Sequence, residues 1–224
     1  MTCTVELPCG ADSMNDTVYL SPWNRSRGKR LFDLLLALIV LMLSSPVLLV
    51  TALSVLVSSK GPIIYRQWRT GKDGKEFRLL KFRTMVDTPQ QSGPNLTRAG
   101  DPRITAVGRL LRKWKLDELP QLFNVIRGDM SFVGPRPDVS RYLVALNPAQ
   151  KQILCLYPGL TGQATLRYRN EEQVLAGVPY EQLEHFYCNK LLPEKVRIDL
   201  EYARTARFSS DLAILFLTAR AILR

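Results

Sequence analysis

Residues 31–57 read LFDLLLALIVLMLSSPVLLVTALSVLV, an apolar run whose single charge is Asp33. As one straight helix it would extend roughly 40 Å, more than the ~30 Å hydrocarbon layer of a bilayer. Length therefore permits a span, but two features argue against one. Ser44, Ser45 and Pro46 sit at the midpoint, and proline lacks the N–H that an uninterrupted helix needs. Each half alone, about 16–20 Å, is too short to cross. The flanks are also basic on both sides: Arg25, Arg27, Lys29 and Arg30 precede the run, and Lys60, Arg66, Arg69, Lys72 and Lys75 follow it. A crossing segment concentrates its positive charge on the cytoplasmic side only. The expectation is a re-entrant helical hairpin over 25–59, broken at Ser45-Pro46, with both ends on one side. A Pro-kinked span is the competing reading.

The charge of the 224-residue chain follows the same geography. Its 31 Lys and Arg against 20 Asp and Glu give a net +11, and residues 25–115 alone carry a net of +13. That block brackets the apolar run, so the expected partner is polyanionic: acidic lipid, a phosphorylated small molecule or nucleic acid. Nucleic acid is disfavoured, because the basic block is interrupted by the apolar run and holds few stacking aromatics. Four scattered cysteines without a CxxC exclude a zinc ribbon and a disulfide framework, and they suit a reducing compartment. His185, the only histidine, lies near Cys188, but one of each is too few for a zinc site. No P-loop or GxGxxG occurs. Residues 1–24 lack periodicity and are expected to form a poorly ordered extension, not a secretory signal.

Two further stretches carry interfacial patterns. In 102–115, PRITAVGRLLRKWK, the residues Ile104, Val107, Leu111 and Trp114 recur at helical spacing among Arg and Lys, as in helices lying in a headgroup plane. The same pattern also fits a surface helix packed on a core. Near the C-terminus, Ser210 is the expected N-cap of a helix over 211–223, with an apolar stripe of Leu212, Leu215, Phe216, Ala219 and Leu223. Asp33 is expected to pair with Lys29 one turn earlier.

The chemistry concentrates in 115–137, KLDELPQLFNVIRGDMSFVGPRP. A helix beginning near Asp117 explains much of it: Asp117 as cap, Glu118 at the positive end, Pro120 in the first turn, and Gly128 ending the helix in the left-handed conformation. Taken alone, the Asp-Glu pair is capping. Its surroundings say more. A carboxylate at a helix N-terminus is expected to stay ionised at neutral pH, where it can attack as a nucleophile or hold a divalent cation. Arg112 lies upstream, and Arg136 sits in a Gly134-Pro135-Arg136-Pro137 loop stiff enough to clamp a phosphate. Acid, cation and arginines together suit phosphoryl transfer, in which positioning and charge neutralisation do most of the catalysis.

The segments KRLFDLLLAL, RQWRTGKDGKEFRLLKFRTM, DPRITAVGRLLRKWKLDELPQLFNVIRGDMSFVGPRP, PGLTGQA and RIDLEYA, in this order, give the chain its resemblance to a known group. From about Gly28 onward it resembles the bacterial sugar transferases of the small monotopic class, which are polyprenol-phosphate phosphoglycosyl transferases. The resemblance implies an α+β, mostly helical monotopic fold: a re-entrant membrane helix, amphipathic interfacial helices, a small β element, and a cytoplasmic catalytic domain over 60–224. It implies transfer of a sugar-1-phosphate from a UDP-sugar to polyprenol phosphate, undecaprenyl phosphate in bacteria, with release of UMP. The expected route is a covalent phosphosugar-aspartate, with Mg²⁺ as cofactor. By that likeness Asp117 is the nucleophile and Glu118 a metal ligand or base, the two together forming the metal site. Arg112 and Arg136 would handle phosphate, with Arg169 and Asp199 as weaker matches. Acidic membrane lipids are expected partners and downstream glycosyltransferases further ones, at the cytoplasmic face of the bacterial inner membrane. Gln163, where the family commonly has Trp, and Arg167-Tyr168, in place of Asn-Gly, depart from the pattern where sugar or nucleotide contacts are expected. In the family the stretch around Lys81 lies close to the active face. The rival function is a non-catalytic, membrane-anchored basic scaffold for acidic lipids.

Overall fold

The computed structural model describes residues 20–86 and 96–223. The apolar run forms one helix, α1 (Arg27–Ser58), with Pro46 inside it. A break at Ser45-Pro46 was expected, and the helix runs through it for a local reason. Pro46 cannot donate to the carbonyl of Met42, and the Ser45 hydroxyl donates to that carbonyl instead, at 2.8 Å. The break is thus one lost backbone bond whose acceptor finds another donor.

Both ends of α1 are tied to the rest of the chain. At its start, Arg30 donates to the carbonyls of Val125 (2.6 Å) and Ile126 (2.9 Å). At its end, Arg83 donates to the carbonyls of Ser59 and Pro62, each at 2.5 Å. The two halves also enter separate cores. Ala37 packs with Phe77, Leu79, Leu122, Val125 and Phe132. Val55 packs with Phe82 and Leu111. The opposite side of the helix is bare, with Met42 68% and Val57 87% exposed. By length and composition α1 is long and apolar enough to cross a membrane, yet both its ends contact one body.

The body is mostly helical with little sheet. Strands β1 (Ile64–Thr70) and β2 (Glu76–Phe82) form an antiparallel hairpin in which Tyr65 faces Lys81 and Arg69 faces Phe77. Because side chains alternate, Tyr65, Gln67, Arg69 and Lys81 share one face. Helix α2 (Ala106–Lys113) is capped by the Thr105 hydroxyl on the Gly108 N–H at 2.8 Å. A 3₁₀ helix (Leu116–Gln121) leads into α3 (Leu122–Arg127), which ends at Gly128 with φ +93°, the left-handed end expected there. Strand β3 (Ser131–Val133) pairs in parallel with β4 (Gly159–Thr161), with α4 (Ser140–Leu143) and α5 (Pro148–Lys151) between them. Then follow α6 (Gln163–Arg167), α7 (Glu171–Ala176), α8 (Leu183–Phe186), a π-helical turn (Tyr187–Leu191), α9 (Leu192–Thr205) and α10 (Phe208–Ile222).

Several local expectations are corrected. Of the extension expected to be poorly ordered, residues 1–19 lie outside the described residues. Leu20 is buried, however, and the Ser21 hydroxyl donates to the Ala206 carbonyl at 2.5 Å. Lys29 does not pair with Asp33. Its ammonium meets Asp211 at 2.5 Å, and Asp33 accepts from the Phe132 N–H at 3.1 Å. Lys29 instead completes the donor set of Asp211, which also accepts from Trp23 Nε1 and the Tyr202 hydroxyl. Ser210 is not the cap of α10. The helix begins two residues earlier, and the Ser210 hydroxyl accepts from the Arg207 N–H at 2.8 Å. Ile214 packs inward, while Leu212, Phe216 and Leu223 stay exposed. In α2, Leu111 is buried and Leu110 and Trp114 are exposed, so the helix is both core-packed and apolar on its outer side.

Candidate active site

The carboxylate pair sits where α2 turns into the 3₁₀ helix. Lys115 makes that turn in the left-handed conformation, φ +54°, and occupies the capping position expected for Asp117. Asp117 is then the second helical residue. It is nearly buried, and its Oδ1 has no hydrogen-bond donor. Burial, reinforced by the neighbouring Glu118 charge, pushes the Asp117 carboxyl above the usual range, against the pull of Lys81, Arg112 and Lys115. A helix-terminal carboxylate was expected to be held firmly ionised; desolvation opposes that here.

Glu118 has the opposite balance. Burial alone would raise it, but Arg136 and Lys115 overcome this and hold it at about 2. Arg136 Nη2 donates to Glu118 Oε1 at 2.7 Å. Charge attraction to Glu118 likewise raises the Arg136 pKa, so this ion pair persists across the accessible pH range.

Arg136 is delivered by the loop between β3 and α4. Its backbone is pinned on the strand side by Gly134 N–H to the Thr161 carbonyl (2.9 Å) and Gly159 N–H to the Pro135 carbonyl (2.8 Å). The loop crosses β4 so closely that a Cβ on Gly134 would lie 2.3 Å from the Tyr157 carbonyl oxygen. Glycine is required there by contact distance, not by φ.

Lys81 completes the cluster from β2. Burial, then the charge of Arg136, lowers its ammonium to about 8, with Glu118 and Asp117 opposing. Arg69, on the same face of the hairpin, was absent from the candidates read in the sequence. The strand register puts it on the face that carries Lys81, two cross-strand pairs further along.

The other candidates divide. Arg112 bears electrostatically on Asp117, but its Nε donates to Thr84 Oγ1 (2.9 Å) and its Nη1 to Glu172 Oε1 (3.0 Å). Arg169 is exposed on the turn after α6 and makes no hydrogen bond or ion pair among the described residues. Asp199 lies behind the loop. Its Oδ1 accepts from the Ala164 N–H at 2.9 Å, and desolvation pushes its carboxyl up to about 7 despite that bond and Lys195. It borders a cavity of about 40 Å³ shared with Pro135, Arg136 and Lys195. Ser45 and Pro46 belong to α1 and have no part in this cluster. His185 is exposed. Among the described residues no group of three His, Cys, Asp or Glu stands ready for a metal.

A buried carboxylate, its acidic neighbour and convergent cations meet on this mostly helical body. The sequence places it further: the chain belongs to the bacterial sugar transferase family, whose pattern matches residues 24–224. It is 40% identical over 198 residues to the UDP-glucose:undecaprenyl-phosphate glucose-1-phosphate transferase of Escherichia coli (strain K12), covering 85% of this chain and 39% of that protein. It is 34% identical over 200 residues to the UDP-N-acetylgalactosamine-undecaprenyl-phosphate N-acetylgalactosaminephosphotransferase of Aeromonas hydrophila, covering 87% and 43%. The uncharacterized sugar transferase EpsL of Bacillus subtilis (strain 168) is 38% identical over 195 residues, with 87% of each chain covered. The chain thus spans about two fifths of the first two relatives and most of the third.

Proposed function

We propose that this protein transfers a sugar-1-phosphate from a UDP-sugar to polyprenol phosphate, giving a polyprenol diphosphosugar and UMP. The observation that carries the reading is Asp117: a nearly buried carboxylate with an undonated oxygen, acted on by Lys81, Arg112 and Lys115, and adjoining the Glu118–Arg136 pair. Native proteins rarely leave such a group unsatisfied without a use for it.

In the first half-reaction an Asp117 oxygen attacks the phosphorus that bears the sugar. The bond from that phosphorus to the bridging oxygen breaks, and UMP leaves with the electron pair. In the second, an oxygen of polyprenol phosphate attacks the same phosphorus and Asp117 departs as a free carboxylate. Lys81 and Arg136 neutralise charge that grows on the phosphate oxygens, and positioning of this kind supplies most of the acceleration in phosphoryl transfer. Asp117 and Glu118 offer hard oxygen donors, one of them unpartnered, and suit magnesium, which takes one or two carboxylates and completes its shell with phosphate and water. When bound it would supply further charge neutralisation for the diphosphate.

The same reading makes α1 a monotopic, re-entrant anchor in the bacterial inner membrane, with the domain on its cytoplasmic face. Ties from Arg30 and Arg83 at opposite ends of α1 to one body support it, because a spanning helix would carry its ends to opposite sides. The bare apolar outer sides of α1, α2 and α10 suit lipid contact, and the basic block suits acidic headgroups. Downstream glycosyltransferases would extend the lipid-linked sugar. A scaffold would have no use for a buried, undonated carboxylate.

The test is trapping. Purified protein incubated with Mg²⁺ and sugar-labelled UDP-sugars, without acceptor, should release one UMP per chain and retain the label. Undecaprenyl phosphate should then discharge it into lipid. Label retained by Asp117→Asn would overturn the assignment of the nucleophile, and no UMP from any UDP-sugar would overturn the reading itself.

A further inference from the structure

Arg136 does not stand alone at the end of its loop. On the side away from β4, Arg69 Nη1 donates to the Pro137 carbonyl at 3.3 Å, and the Thr70 N–H donates to the Asp138 carbonyl at 2.9 Å. The Asp138 carboxylate lies 3.6 Å from Arg69 Nη1 and accepts from the Tyr187 hydroxyl at 2.8 Å. That hydroxyl accepts in turn from Lys195 Nζ at 3.4 Å, and Lys195 is paired with Glu171 at 2.9 Å. Five side chains from β1, the loop, the π-helical turn, α9 and α7 therefore form one chain, buried at Tyr187 and Lys195 and partly exposed at its ends, with a neutral phenol between opposite charges. Tyr187 itself is 2% exposed.

The chain answers an electrostatic problem. Arg136 depresses the proton affinity of both Arg69 and Lys81, and Arg69 that of Lys81. Three such cations would push the loop away from the hairpin. Glu118 restrains Arg136 from the front. From behind, Asp138 is the only carboxylate the described residues pair with Arg69, and its direction is set by the Tyr187 hydroxyl. Tyr187 opens the π-helical turn Tyr187–Leu191, a wide geometry that is rare and concentrates at functional positions.

We propose that Tyr187 is a positioning residue for the arginine loop: through Asp138 and Arg69 it fixes the backbone that holds Arg136 against Glu118. Tyr187 touches neither Asp117 nor Glu118, and it acts only through this chain. The proposal rests on the reading that Arg136 grips phosphate. A displacement of about 1 Å in such a group can cost on the order of 10²-fold in rate, so partial loosening should cost about tenfold.

The test is a double-mutant cycle on the full chain with Tyr187→Phe and Arg136→Lys, reading UMP release. Tyr187→Phe should lower kcat/KM for the UDP-sugar by about tenfold and weaken pyrophosphate binding severalfold. In the Arg136→Lys background the same change should have little further effect. Tyr142→Phe, whose ring packs against Tyr187 at 5.2 Å but whose hydroxyl contacts Arg141 and Glu184, should leave the rate within about twofold. Multiplying effects of Tyr187→Phe and Arg136→Lys would overturn the proposal. If Tyr187→Phe does not fold, Asp138→Asn, which keeps an acceptor for the phenol but removes the charge, takes its place with the same expected coupling. The same four proteins are titrated with inorganic pyrophosphate, which reads the grip of Arg136 even if wild type releases no UMP. Loss of UMP release in wild type would defeat the functional reading. Additive losses of pyrophosphate affinity would defeat the positioning role.

Discussion

Asp211 and Asp117 are both buried aspartates, and they are used in opposite ways. Asp211 is fully enclosed and satisfied: it accepts from Lys29 Nζ (2.5 Å), Trp23 Nε1 (2.9 Å) and the Tyr202 hydroxyl. Its partners come from two distant segments, 23–29 and α9, so the carboxylate locks the start of α1 to α9 and α10. Asp117 is almost as enclosed, yet it keeps an oxygen without a donor. Every lone pair spent on a structural partner is unavailable to a substrate or a cation. The contrast separates a carboxylate that holds the fold together from one that the fold holds ready.

The contrast can be broken at either end. Asp117→Asn should lower UMP release by at least about 10³-fold, because no other group replaces a lost nucleophile. Melting in detergent should show it no less stable than wild type, since an undonated buried charge has been removed; a large loss of stability would give Asp117 a structural role. Asp211→Asn should do the reverse. It strands the Lys29 ammonium, for a cost of about 3 kcal/mol, or roughly 6–12 °C in Tm. The fraction that remains folded should turn over normally.

A smaller effect concerns Lys81. Its ammonium is held at about 8, below the ordinary lysine value. As pH rises through 8 the charge is lost, and by pH 9 about one tenth of the molecules retain it. UMP release should fall over that interval. The stability contribution has the opposite sign: between about 8 and the unfolded value the unfolded chain binds more protons, so this group favours folding increasingly as pH rises. Lys81→Arg, which stays charged, should hold its rate to higher pH than wild type; identical alkaline limbs would remove Lys81 from the phosphate site. The smallest change is Ser45→Ala, which leaves the Met42 carbonyl without its hydroxyl donor and should cost about 1 kcal/mol, read as a small fall in Tm.

Residue type and local spacing made the front of the site legible. Asp117, Glu118 and Arg136 announced themselves through a helix start, a stiff loop and the family's ordered segments, and the structure brings these three together. Arg69 and the Asp138–Tyr187–Lys195 chain were not readable, because their adjacency depends on a hairpin register and on contacts 49 residues apart in the case of Tyr187 and Asp138. Lys29 misled for the same reason: the i,i+4 neighbour is visible in a sequence and the partner 182 positions away is not. Arg169 came only from the family likeness, and the fold adds no partner for its exposed side chain among the described residues. At Pro46 the proline is visible in the sequence, but the service of the abandoned Met42 carbonyl by the Ser45 hydroxyl is not.

The ties at both ends of α1 have a further consequence. Ala37 and Val55, each fully enclosed, belong to two different cores of the body, so the long helix is an interior wall of the molecule as much as an attachment. It cannot be trimmed away to liberate a self-sufficient domain. Removing it would lay open the faces against which α2, α3 and the β1–β2 hairpin are stacked. The height of Asp117 above whatever surface α1 rests on is accordingly a constant of the fold, built in by the same side chains that keep it folded.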